Sequence, residues 1–168
     1  MRLFVVRHAR AFDRDIARWA DDSQRPLTRG GEREFRRLAK AIRRWHEPPT
    51  AVLASPWVRA WSTAGILHRF ARWPEAAETP ALAGDAPHGV DGIIEVAGRW
   101  ASAATGESSF AVVGHEPVLS ELVERLLGTT LGSIRMAKGA VAVLEFADLA
   151  PGHSTLRALI DPSFPRRR

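Results

Sequence analysis

The chain has 168 residues, 45% of them hydrophobic, and a formal net charge of +5, which suits one domain with a core of its own. The absence of cysteine excludes disulfides, thiolate nucleophiles and cysteine-based zinc sites, and no apolar run approaches the roughly eighteen residues a membrane helix needs. Residues 1–168 are therefore read as a single domain, cytoplasmic because nothing after Met1 resembles a secretory leader, with residues 162–168 as a frayed tail.

Residues 3–6, LFVV, form a short apolar strand that runs straight into Arg7 and His8. Those two residues admit three readings: a solvated strand end, a satisfied structural histidine, or the centre of a reactive site. About twenty residues, 9–29, then precede the first helix, where such connections usually take two to six. A loop that long is often functional. In residues 31–45, Phe35, Leu38, Ala39, Ile42 and Trp45 recur at helical spacing with Arg33, Arg36, Arg37, Arg43 and Arg44 between them, which predicts an amphipathic helix with a solvated arginine face. Glu47-Pro48-Pro49 stops it, and residues 50–54 read as a buried strand.

Ser55 as N-cap and Pro56 as first helical residue open a second helix, with Trp57, Trp61, Ala64, Ile66 and Leu67 at core spacing before Trp73-Pro74. A short extended piece at 78–82 leads into the turn-rich GDAPHG, followed by a helix over 90–103 and a buried strand over 109–113 that Gly114 ends. Pro117 starts a helix whose Val118, Leu119, Leu122, Val123, Leu126 and Leu127 face a core, and 139–146 and 155–160 are the last two strands. Strands alternating with helices predict a three-layer α/β/α fold around a mainly parallel sheet.

In such a sheet ligands bind at the carboxyl ends of the strands. The first strand delivers Arg7 and His8 there, the second delivers Arg59 one turn into its helix, and the 109–113 strand delivers His115 and Glu116. Two arginines, two histidines and two helix N-termini on one edge fit a phosphoryl group, whose charge guanidinium forks and helix dipoles stabilise. A divalent metal fits poorly, since the arginines would repel it and no carboxylate cluster accompanies the histidines. One histidine can attack phosphorus while the other holds a phosphoryl oxygen. Of the 24 basic residues only Lys40 and Lys138 are lysines, and biased composition accounts for the global arginine excess, so only individual arginines carry the argument.

The ordered set RHARA (7–11), RPLTRGG (25–31), SPWVRAWSTA (55–64) and VVGHEP (112–117) resembles the histidine phosphatase superfamily, and within it the SixA-type phosphohistidine phosphatases. The resemblance implies a phosphoglycerate mutase-like fold and cofactor-free, metal-free catalysis through a phosphohistidine intermediate. By motif, His8 is the nucleophile, Arg7, Arg59 and His115 form the phosphate pocket, and Arg25 is a less direct phosphate contact. Thr28 caps the helix entrance rather than touching substrate. Ala9 stands where the wider superfamily has Gly, as in SixA-type members. Ala81 stands where mutase-like and many phosphomonoesterase members place an acidic Glu, with Asp85 as a candidate substitute.

A missing acid favours a phosphohistidine substrate, because imidazole leaves from a weak P–N bond without a dedicated proton donor. Only 55 residues lie between Arg59 and His115, too few for a long cap over a small molecule. The expected partner is a phosphohistidine-bearing protein, such as a phosphotransfer domain or phosphocarrier in signal transduction, and neither nucleic acid nor membrane. Two rivals remain: a small-molecule phosphomonoesterase acting on a sugar, nucleotide or cofactor phosphate, and a non-catalytic anion- or nucleic-acid-binding module. Trp45, Trp57 and Trp61 at core spacing speak against the latter. His46, His68, His88 and His153 are assigned surface or structural roles.

Overall fold

A computed structural model of the chain describes residues 1–103 and 108–162, so residues 163–168 of the expected tail lie outside it. The elements in chain order are β1 (Arg2–Arg7), α1 (Arg29–Trp45), β2 (Ala51–Ala54), α2 (Val58–Ala71), β3 (Ala76–Glu78), α3 (Gly89–Ala103), β4 (Ser109–Gly114), α4 (Val118–Leu127), β5 (Val141–Phe146) and β6 (Ser154–Ile160). The six strands form one sheet in the order β3-β2-β4-β1-β5-β6. Neighbours among β3, β2, β4 and β1 are parallel, whereas β5 runs antiparallel to both β1 and β6. The sheet is thus mixed: the expected parallel part runs from the β3 edge to β1, and β5 and β6 complete the other side by antiparallel pairing.

Side-chain alternation along each strand supplies both faces. Phe4, Val6, Ala111 and Val113 point into one core with Phe35, Leu38 and Ile42 of α1 and Ala60, Ala64 and Leu67 of α2. Leu3, Val5, Phe110 and Val112 point into the other, with Ile93 and Ala97 of α3 and Leu119, Leu122 and Leu126 of α4. Helices on both faces explain why β1 and β4 read as unbroken apolar runs rather than alternating ones. Among the described residues no helix is long and apolar enough to cross a membrane.

Several sequence expectations are corrected. The second helix begins at Val58, with Trp57 as its N-cap, and Ser55 is not a cap because its N–H still continues the sheet by donating to Val113 O at 2.9 Å. The extended piece at 78–82 is strand only over Ala76–Glu78, and Pro80–Leu82 forms a 3₁₀ turn that proline's fixed φ favours at its first position. Trp45 and Trp61 are 50% and 41% exposed, so helical spacing misplaced them in the core. The fifth strand starts at Val141, since Gly139, at φ 84°, turns to donate its N–H to His8 O.

The 9–29 segment is closed at its base rather than loose. Ala11 bridges Leu27, Phe12 N–H donates to Pro26 O, and Thr28 N–H donates to Arg10 O at 3.0 Å. At its tip the Arg18 guanidinium lies 4.7 Å from the Phe12 ring and 4.5 Å from that of Trp19, and a 3₁₀ turn spans Asp22–Gln24. Thr28 caps α1 as expected, accepting from Gly31 N–H at 3.0 Å, and the helix starts two residues before the predicted 31. Gly31 lies so close to the loop that a Cβ there would meet Arg10 O at 2.1 Å. We expect Gly31→Ala to separate loop from helix and to cost about 1–3 kcal/mol of stability, measured by urea unfolding; an unchanged midpoint would show that the approach is not tight.

Candidate active site

Register brings the functional strand ends to one level. Arg7 pairs with Gly114 and Ala54 with Val113, so His8, Ser55 and His115 all emerge just past the ends of the three neighbouring strands β1, β2 and β4. The backbone at His8 is held on both sides, its N–H donating to Gly114 O at 3.0 Å and its carbonyl accepting from Gly139 N–H at 2.9 Å. His8 Nδ1 donates to Ala9 O at 2.7 Å. Because a carbonyl only accepts, the proton sits on Nδ1, and the neutral ring presents a bare Nε2.

His115 faces His8, their ring centroids 5.1 Å apart. Its Nε2 is 2.9 Å from Ser55 Oγ, which also accepts from Trp57 N–H at 3.2 Å. When the serine hydroxyl donates to Nε2, the ring proton lies on Nδ1, which is then a donor. Trp57 packs against His115, their ring centroids 4.9 Å apart, and the Arg59 guanidinium lies over the Trp57 ring at 4.5 Å from its centroid. Arg7 Nη1 donates to Met136 O at 2.6 Å. Among the described residues six buried side-chain atoms have no hydrogen-bond partner; three of them, the nitrogens Arg7 Nε, Arg59 Nε and His115 Nδ1, belong to this site, with Glu116 Oε1 beside them. Such nitrogens are costly to leave unpaired, about 1–3 kcal/mol each, and an oxyanion would satisfy them.

Arg25 meets the site indirectly. Its Nε and Nη2 donate to the Asp22 carboxylate at 2.8 and 3.2 Å and its Nη1 to Phe12 O at 2.6 Å. Asp22 in turn holds Arg59. Asp85 is exposed and lines an open cleft with Asp22, Pro56 and Trp57, while Ala81 lies in the preceding 3₁₀ turn. Among the described residues no three His, Asp or Glu side chains gather as metal ligands. His46, His68 and His153 engage partners elsewhere, His68 Nδ1 at Trp73 O for example.

Comparison with known proteins gives this geometry a family. The sequence profile of the histidine phosphatase superfamily (branch 1) matches residues 3–84, which include Arg7, His8, Arg25 and Arg59. An otherwise uncharacterised protein of Picosynechococcus sp. is 32% identical over 147 residues, covering 86% of this chain and 85% of its own. A solved structure described as the protein histidine phosphatase SixA complexed with tungstate superposes with a TM-score of 0.82 at 25% identity, covering 99% of this chain and all of its own. The chain belongs to the histidine phosphatase superfamily. A mycobacterial glucosyl-3-phosphoglycerate phosphatase shares the fold, with a TM-score of 0.70 at 13% identity over 94% of this chain and 97% of its own.

Three residues of this histidine phosphatase superfamily member went unassigned from sequence: Ser55, Thr63 and Asp22. Thr63 Oγ1 accepts from Ala9 N–H at 3.0 Å and donates to Arg59 O at 2.6 Å, tying the residue after His8 to the helix that carries Arg59. Ser55 and Thr63 both lie inside SPWVRAWSTA, but a serine before proline reads as a cap, and a helical threonine carries no signal of what it reaches. Glu116 accepts from Ser120 Oγ at 2.6 Å, and burial pushes its carboxyl above the usual range against the opposing pull of Ser120 and Arg7.

Burial dominates the electrostatics of both histidines. It pushes His8 down to about 3, with the charges of Arg59, Arg7 and Arg25 adding to it and the bond to Ala9 O opposing it. Burial, then His8 and Arg59, pushes His115 down to about 2. An unfolded histidine takes up its proton near 6.5, so between about 3 and 6.5 the unfolded chain binds more protons and stability falls as pH drops. Each histidine weakens folding by up to about 1.4 kcal/mol per pH unit across that window. Thermal melts from pH 7 to 4.5 should show this loss, with a shallower slope in a His8→Asn/His115→Asn variant; parallel slopes would contradict the assignment.

Proposed function

We propose that this superfamily member hydrolyses phosphohistidine on a protein partner through a phospho-His8 intermediate. The observation that carries the reading is the bare Nε2 of a neutral, buried His8, fixed by the Nδ1 bond to Ala9 O and facing His115. A buried histidine kept neutral with one free nitrogen is a nucleophile in waiting, whereas a module that only binds anions gains more from a protonated ring.

In the first step Nε2 attacks phosphorus in line, forming one P–N bond as the bond to the substrate imidazole breaks, and the departing imidazole takes up a proton from solvent water. In the second, water attacks phospho-His8, releasing inorganic phosphate and returning Nε2. Arg7 Nε, Arg59 Nε and His115 Nδ1, the unpaired donors, stabilise the equatorial oxygens in both transition states. The charge they supply makes the reaction independent of a metal, so a chelator should leave turnover unchanged.

Three features support phosphohistidine as the substrate. The similar solved structure is described as a protein histidine phosphatase, and it matches the chain over nearly its whole length. Residues 80–83, where a phosphomonoesterase acid was sought, are Pro, Ala, Leu and Ala. The 55 residues between Arg59 and His115 chiefly build α2, β3, α3 and β4, which leaves the site open to a side chain presented on a surface. The second reading, a small-molecule phosphomonoesterase, rests on Asp85, which reaches the cleft beside Trp57.

Wild-type protein should dephosphorylate a phosphohistidine peptide and pass through an acid-labile phosphoenzyme. His8→Ala should lower turnover by at least about a thousandfold, as loss of a nucleophile does, and unchanged turnover would refute the mechanism. Efficient hydrolysis of a phosphomonoester, lost in Asp85→Asn, would instead establish the second reading.

A further inference from the structure

The long 9–29 loop delivers one carboxylate to the pocket, and that residue has no part in the phosphotransfer described above. Asp22 grips Arg59 at two points: its backbone carbonyl accepts from Nη1 at 2.7 Å and its Oδ2 from Nη2 at 3.0 Å. These two nitrogens form the outer edge of the guanidinium fork. The other edge, with Nε buried and unpaired, is left for a ligand. The Trp57 ring lies 4.5 Å from the same guanidinium carbon, so the group is packed by an aromatic ring as well as gripped at its edge.

Asp22 is itself braced. Arg25 holds both carboxylate oxygens in a fork, and Arg25 is anchored by Phe12 O near the closed base of the loop. The brace runs from loop base to Arg25, to Asp22, to Arg59. It also places one negative charge between two arginines that would otherwise repel each other, and the Asp22 carboxyl is held below its usual range chiefly by its bond to Arg25. A carboxylate so held stays ionised and is no proton donor, which separates it from the acid sought at Ala81.

The geometry points to Asp22 as the positioning residue of the pocket: it holds one edge of the Arg59 fork so that the other edge is presented to the phosphoryl group. This rests on the proposed phosphotransfer at His8 and assigns the loop its part in it. The role is orientation, since Asp22 acts through Arg59. It predicts that loss of the Asp22 carboxylate weakens oxyanion binding even where the fold survives.

The test is calorimetric titration of the full chain with tungstate, a phosphate-shaped oxyanion, alongside turnover of a phosphohistidine peptide. Asp22→Asn, isosteric and at a partly exposed position, should melt close to wild type yet bind tungstate about tenfold more weakly, with kcat/KM lost mainly through KM. Arg25→Gln, which removes only the brace, should weaken tungstate binding less, and the double variant should be no weaker than Asp22→Asn, as expected of residues acting in one chain. Unchanged tungstate affinity in folded Asp22→Asn would overturn the proposal. Tighter binding would overturn it too, because Asp22 would then be competing with the oxyanion for Arg59. If Asp22→Asn fails to fold, unchanged tungstate affinity in Arg25→Gln is the refuting result. Unchanged turnover in His8→Ala would sink the phosphotransfer reading while leaving the tungstate comparison to report on Asp22.

Discussion

A nucleophilic histidine has to be neutral with one nitrogen bare, and in the proposed mechanism His8 has to stay so beside the cationic groups proposed to bind its target. Much of the site follows from that requirement. Burial keeps His8 deprotonated, the Ala9 carbonyl fixes which nitrogen holds the remaining proton, and the surrounding guanidinium charges push in the same direction. In the proposed mechanism the arginines that attract the phosphoryl group therefore also keep the attacking nitrogen free of a proton. Strength in one function does not come at the expense of the other.

The sheet makes this arrangement rigid. Arg7, His8, Ser55 and His115 lie at the ends of three adjacent parallel strands at matched register, and each is joined to a neighbour: Arg7 to Ala140 O and His8 to Gly114 O by their N–H groups, Ser55 to His115 through its hydroxyl, with Ala9 tied to α2 through Thr63. A displacement of one strand end would be felt by all of them. Positions on regular elements suit groups that must be placed within a fraction of an ångström.

Much of the fold was legible because burial on both faces leaves a simple signature, short apolar runs separated by amphipathic helices. The site was legible in its strand-end residues, since Arg7, His8 and His115 sit where topology gathers ligands and Arg59 follows one turn into a helix. What sequence could not show was who holds whom. Ser55 before a proline looked like a cap, Trp45 and Trp61 fitted a core stripe yet face outward, and Asp22 was one acid among four in its loop. Pairing between a loop carboxylate and a helix arginine 37 residues away has no local period to announce it.

The closed base of the 9–29 segment divides it into parts under different constraint. The bridge between Ala11 and Leu27 and the hydrogen bonds beside it fix where the loop leaves and returns, and the Asp22–Gln24 turn lies near the returning end. Residues 13–20 make up the outward-facing remainder, and doubling the length of such a stretch adds only about 0.6 kcal/mol of closure entropy. Insertions and deletions there would alter the surface around the pocket and leave the pocket itself in register. Evolution could thus revise which molecules such an enzyme admits by editing the tip alone.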